Sequence, residues 1–265
     1  MPLPAAQQPP HPNLPPTVLW VPGVLAIGTI AVFASGANTA LFVALQGLTG
    51  HLPDSLWAFL TDQAGVLSVA AWATLALWAK PAVAAAILLS WPAGLLVVRG
   101  LKHLLAEARP AQVLPPESLH VIGRELSSLS FPSGHTATAF AVAAAVLYCL
   151  DTRVRRRLYA PVLVLAMLMA LSRIGVGAHW PVDVLAGAAI GWLCGLSGVL
   201  WAAHWRFWQH RQGLITLTAL GLLAGILRLT LDSGYPQVHG FALLLGAGAI
   251  IAALAFLLRL RTTSP

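Results

Sequence analysis

Hydrophobic residues fall into eight long runs, at 18–34, 64–79, 82–101, 133–150, 158–176, 182–203, 214–231 and 241–258, separated by short polar links. A helix needs about 20 apolar residues (about 17–25) to cross a bilayer, so each run is a candidate span. The links differ by side. One set holds Lys80, then Arg153, Arg155, Arg156 and Arg157, then Arg206 and Arg211, then Arg259 and Arg261: nine of the 15 lysines and arginines. Such links mark the cytoplasmic face. Both termini are then inside, and 35–63, 109–132, 177–181 and 232–240 lie outside. The link 35–63 is more than a loop. Leu41, Leu45 and Leu48 recur at helical spacing, and Asp54 is placed to cap a short helix through Phe59, so helices lying at the interface are expected. The pattern predicts an all-α polytopic membrane helical bundle. It has a disordered cytoplasmic tail over 1–17, a six-span core over 18–203 and two further C-terminal transmembrane helices within 204–265.

Composition agrees. Hydrophobic residues make up 58% and charged residues 9%, against about 25% charged in soluble domains. The net charge of +7 does not imply nucleic acid, because the arginines sit in short links between spans rather than on a soluble face. Cys149 and Cys194 lie inside apolar runs and read as small buried hydrophobes, with no disulfide framework and no zinc spacing. The proline-rich start lacks Lys and Arg, so the first span is read as an uncleaved helix rather than a secretory signal, despite the small residues at 34–37. Arginine outnumbers lysine 13 to 2, which suggests a GC-rich bacterial source.

Six basic residues fall outside the cytoplasmic links: Arg99, Lys102, Arg109, Arg124, Arg173 and Arg228. Charge near a span is costly and needs a reason; snorkelling at span ends is the simplest one. A regular arrangement argues otherwise for three of them. Lys102 and Arg109 are seven apart, which would put both on one face of a helix two turns apart, with Pro110 stopping it. Arginine offers a fork to two phosphate oxygens, and lysine offers a point charge. Next, Phe131-Pro132-Ser133-Gly134-His135 opens a span. Proline suits the first turn, and the N–H groups of Ser133, Gly134 and His135 are expected to point, unpaired, at an anion. Finally, Ser172-Arg173 is followed by His179 and Asp183. Pro181 fits the first turn of the next span, and Asp183 there can hold an N–H of His179 and fix its tautomer. A lone histidine is more often structural; one with an aspartate behind it and an arginine beside it is not alone.

These pieces together resemble the type-2 phosphatidic acid phosphatase superfamily, which shows K-x6-R-P, P-S-G-H and S-R-x5-H-x3-D in this order. The resemblance covers about 64–203 and matches at every motif position. It implies that His179 attacks phosphorus to form a phosphohistidine, that Asp183 orients and activates His179, and that His135 protonates the leaving oxygen and then activates water. Lys102, Arg109, Arg173, Ser133 and the Gly134 N–H would hold the phosphoryl oxygens. Positioning and charge stabilisation are most of what phosphoryl transfer asks. No metal and no other cofactor is expected, since the sequence offers no acidic cluster for magnesium.

By the charge count the motifs face the periplasm, at the outer leaflet of a bacterial inner membrane. The expected partners are membrane lipids and a lipid phosphate or diphosphate substrate; no nucleic acid and no protein partner is inferred. Arg124, in the 111–130 link, and Arg99, three residues before Lys102, are candidate specificity residues for a second phosphate. Undecaprenyl diphosphate is therefore the first expectation. Phosphatidylglycerophosphate and phosphatidic acid are alternatives, as is phosphotransfer to another lipid such as lipid A. An anionic-lipid transporter is the rival of another class, but transporters bind at the midplane, whereas these charges gather at span ends.

Overall fold

The computed structural model describes residues 14–262, which form helices and links with no strand among them. The helices are α1 Trp20–Ser35, α2 Asn38–Thr49, α3 Asp54–Gln63, α4 Val66–Ala76, α5 Pro81–Leu105, α6 Pro110–Val113, α7 Gly134–Cys149, α8 Thr152–Gly175, α9 Pro181–Trp205, α10 Arg211–Thr230 and α11 His239–Thr262. A 3-10 turn, Pro16–Leu19, leads into α1. Pro16 and Thr17 therefore belong to structure and not to the expected tail, whose residues 1–13 lie outside the described ones.

All eight apolar runs are helical, and the chain is a multi-pass membrane protein. Six helical segments are long and apolar enough to cross a membrane. The exceptions are α4, with 11 residues, and α7, with 16. At about 1.5 Å per residue they reach about 16 and 24 Å, short of a hydrocarbon core of about 30 Å. Their starts lie close together: a Cβ on Gly65, just before α4, would lie 3.9 Å from Nε2 of His135, in the first turn of α7. Their missing turns are replaced by the links that build the site.

Among the six long spans α9 is the most buried, with 61% of its apolar window inside the bundle. Small residues make this possible. Gly187, Gly191 and Gly195 face α7 so closely that a Cβ on Gly191 would stand 2.1 Å from the Ala137 carbonyl oxygen; Gly198 faces Ala86 of α5 in the same way. Backbones approach like this in membranes because dispersion, not hydrophobic exclusion, drives span association.

One end of the bundle carries the basic links. There Arg155 lies over the Tyr148 ring at 5.2 Å and Arg259 over Trp78 at 5.7 Å. The other end gathers the C-termini of α5 and α8 and the N-termini of α7 and α9. Helices α2 and α3 fold over this end, and the face of α3 that carries Trp57 and Thr61 is buried, deeper than the expected interfacial position. Asp54 does not cap α3: Pro53 occupies that position, and the Asp54 carboxylate meets His120 Nε2 at 2.9 Å instead. The hairpin α10–α11 is fastened to the rest by a buried ion pair between Arg228 and Asp62 and by Trp78 Nε1 donating to the Ala252 carbonyl at 3.3 Å.

Candidate active site

The turn from α8 to α9 sets the geometry. Gly177 takes a left-handed φ of +73°, and a Cβ there would stand 2.7 Å from the His120 carbonyl oxygen. The Arg173 carbonyl accepts the N–H groups of Ala178 at 3.0 Å and His179 at 3.2 Å, folding His179 back over the end of α8. Pro181 then opens α9 with Asp183 in its first turn. The Asp183 Oδ2 accepts from Ser130 Oγ at 2.5 Å and from Trp180 N at 3.0 Å, and meets His179 Nδ1 at 3.2 Å.

The tautomer of His179 follows from its neighbours. Arg109 Nη1 lies 3.1 Å from Nε2. A guanidinium has no lone pair to offer, so Nε2 is the acceptor and Nδ1 carries the proton toward Asp183. The imidazole is buried, and burial first, then the charges of Arg173, Arg109, Lys102 and His135, push its pKa well below the usual histidine value. The ring is therefore neutral near neutral pH. It presents an Nε2 lone pair inside a set of cations, the form a nitrogen nucleophile requires.

Lys102 and Arg109 converge here, but not on one helix. The helix α5 ends at Leu105, where Ala106 turns left-handed, and Arg109 is the N-cap of α6 with Pro110 following it. What unites them is the link 128–130. Lys102 Nζ donates to the carbonyls of Leu129 at 2.6 Å and Ser130 at 2.8 Å. Arg109 donates from Nε to the Ser128 carbonyl at 2.7 Å, from Nη2 to the Leu129 carbonyl at 3.2 Å and from Nη1 to the Ala178 carbonyl at 2.7 Å.

Arg173, wholly buried at the end of α8, has its Nη1 held by Thr61 Oγ1 and by the Tyr235 hydroxyl at 3.0 Å. Its Nε has no hydrogen-bond partner among the described residues. A buried donor without an acceptor is costly, and an arriving anion would relieve it.

At the start of α7, Ser133 is the N-cap and its Oγ accepts from Thr136 N at 3.4 Å. Pro132 thus precedes the cap rather than sitting in the first turn. The Ser133 N–H is not free for an anion either: it donates to the Asp183 carbonyl at 3.0 Å, tying α7 to α9. Gly134 and His135 occupy the first turn, where N–H groups lack intrahelical partners. Arg124 lines a cleft with Arg109, Glu125, Gly177 and Tyr235. Arg99 is exposed on α5 and does not line that cleft. Sequence reasoning missed Ser130, Thr61 and Tyr235. All three lie outside the motif spacings: Ser130 and Tyr235 sit in links, where polar residues carry no periodic signal, and Thr61 sits in α3, which none of the motifs touches.

Comparison with known proteins places this geometry in context. The model of the PAP2 superfamily matches residues 82–211. Undecaprenyl-diphosphatase BcrC of Bacillus subtilis is 30% identical over 167 residues, covering 60% of this chain and 80% of that protein. Among solved structures, Aquifex aeolicus LpxE superposes with a TM-score of 0.54 at 24% identity, covering 61% of this chain and 94% of its own. A PAP2-type phosphatidylglycerolphosphate phosphatase from Bacillus subtilis gives a TM-score of 0.51 at 20% identity, covering 71% and 96%. These two likenesses concern the fold.

Proposed function

This chain belongs to the PAP2 superfamily of membrane lipid phosphatases, and from that premise we propose which residues act and on what. His179 Nε2 attacks phosphorus, the bond to the leaving oxygen breaks, and a phosphohistidine forms while Asp183 takes the hydrogen bond of the increasingly positive ring. His135 gives a proton to the leaving oxygen, then removes one from the water that releases phosphate and restores neutral His179. Lys102, Arg109 and Arg173, with Ser133 and the Gly134 N–H, hold the oxygens as charge shifts. The observation that carries this reading is the placement of the His179 ring, with Nδ1 3.2 Å from Asp183 Oδ2 and Nε2 3.1 Å from Arg109 Nη1. Arg109 must exchange its contact with Nε2 for a phosphoryl oxygen as the substrate arrives.

The proposed substrate is a prenyl diphosphate, undecaprenyl diphosphate first, at the outer leaflet of the inner membrane. Its support is the cleft shared by Arg109, Arg124 and Tyr235 beside the phosphoryl site, together with the similarity to an undecaprenyl-diphosphatase. Arg124 would hold the second phosphate. Purified protein should release phosphate from prenyl diphosphates, and Arg124→Ala should raise KM for the diphosphate more than for a monophosphate. Release from phosphatidylglycerophosphate with prenyl diphosphates ignored would overturn this substrate. Phosphate appearing on an acceptor lipid instead of free in solution would identify a phosphotransferase.

A further inference from the structure

The matched family region ends at residue 211, yet one group in the site is reached from beyond it. Tyr235 lies in the link between α10 and α11, and its hydroxyl accepts from Arg173 Nη1 at 3.0 Å. Thr61 of α3, also outside the matched region, accepts from the same nitrogen. Nη1 carries two hydrogens, so these oxygens account for both and leave the Nε edge, which has no partner among the described residues, facing away from the hold. A guanidinium fixed at one corner presents its opposite edge in one direction. Both holders are neutral hydroxyls. A carboxylate in their place would fix the direction equally well but would cancel the charge a phosphoryl group needs.

Tyr235 is itself held with little freedom. Its ring and the Gly234 carbonyl press on Gly123, where a Cβ would stand 2.5 Å from that carbonyl oxygen and 2.6 Å from the ring. Arg124 N donates to the same Gly234 carbonyl at 3.0 Å, and Gly234 N donates to Asp232 Oδ1 at 2.9 Å. The buried Arg228–Asp62 pair anchors α10 just before this link, and Phe241, at the start of α11, meets Phe59 edge-on at 4.8 Å. The hairpin thus delivers one hydroxyl to one arginine through a rigid path.

We propose that Tyr235 is a positioning residue for phosphoryl transfer, and that the α10–α11 hairpin completes the active site by aiming Arg173 at the phosphoryl oxygens. This rests on the reading that Arg173 binds the transferring group. An arginine already aimed needs no reorganisation when charge develops, so the effect falls on kcat rather than on lipid binding.

The test is Tyr235→Phe, which keeps the ring against Gly123 and removes only the hydroxyl. We expect kcat to fall about 10- to 100-fold, the range for one hydrogen bond to a charged group, with KM for the lipid little changed. In an Arg173→Lys background the same change should have almost no further effect, because the partner is already gone. Wild-type kcat in Tyr235→Phe overturns the proposal, and so does an equal loss in both backgrounds. Near-normal turnover in Arg173→Lys alone would instead sink the reading of Arg173. If Tyr235→Phe lowers the unfolding midpoint, Thr61→Val decides: it removes the other holder and should give the same kcat-selective loss, and normal kcat there would refute the hold.

Discussion

At the scale of the residue, His179 is governed by its surroundings. Its pKa lies well below the usual histidine value because burial and three cations disfavour the imidazolium. The ring therefore stays neutral as pH falls through about 6.5, the unperturbed value, and the acid limb of kcat/KM is expected below that pH. Arg109→Gln removes one cation, raises the His179 pKa and should move this limb upward, even as overall activity falls; a pH–rate profile reads both. His179→Ala should abolish turnover with folding intact. His135→Ala should slow the reaction by about 100- to 10,000-fold. With a diphosphate, the leaving group is a stabilised phosphate and depends less on an acid. Labelled phosphate should then accumulate on the protein in His135→Ala, because the water step still lacks its base. The pairing of His179 with Asp183 was legible, since four residues across a helix start bring the two together. Ser130, which gives Asp183 its shortest hydrogen bond at 2.5 Å, was not: a serine in a link offers no spacing to read.

At the scale of the element, hydropathy located all eight apolar helices but not the short lengths of α4 and α7, which leave six long enough to cross a membrane. An apolar stretch looks alike in sequence whether it faces lipid or packs beneath a site. The seven-residue separation of Lys102 and Arg109 pointed to a shared helix, yet Ala106 breaks α5 between them at φ 49°. They meet because the carbonyls at 128–130 collect both, a long-range fact that no local pattern carries. The close packing of α9 on α7 is likewise seen only in the structure, at Gly187, Gly191 and Gly195, spaced every fourth residue. Gly191→Val would set a side chain against a carbonyl that a Cβ alone would approach to 2.1 Å, so α7 must move away from α9. Overpacking costs about 1–3 kcal/mol, and the unfolding midpoint in detergent should drop. Activity should fall as well, because the displaced interface includes the hydrogen bond from Ser133 N to the Asp183 carbonyl, next to His179.

At the scale of the whole molecule, the two ends of the bundle differ in what their charges do. At the site end, Lys102, Arg109 and Arg173 are held by carbonyls and hydroxyls. At the other end, Arg153, Arg155, Arg156 and Arg157 crowd the start of α8, where the helix dipole disfavours positive charge. Asp151 caps that start, accepting from Arg153 N and Val154 N at 3.1 Å each, and Arg155 lies over the Tyr148 ring. The orientation proposed above would account for the whole cluster, since basic links tend to stay on the cytoplasmic side during insertion. A reporter fused after Arg157, and another after Thr262, should both be active only in the cytoplasm, while one placed in 111–130 should respond only outside. Arg155→Ala should leave turnover unchanged, because it lies at the end opposite the proposed phosphoryl site. A reporter after Arg157 found outside the cell membrane would reverse the orientation, and with it the outer-leaflet substrate, while leaving the chemistry of His179 untouched.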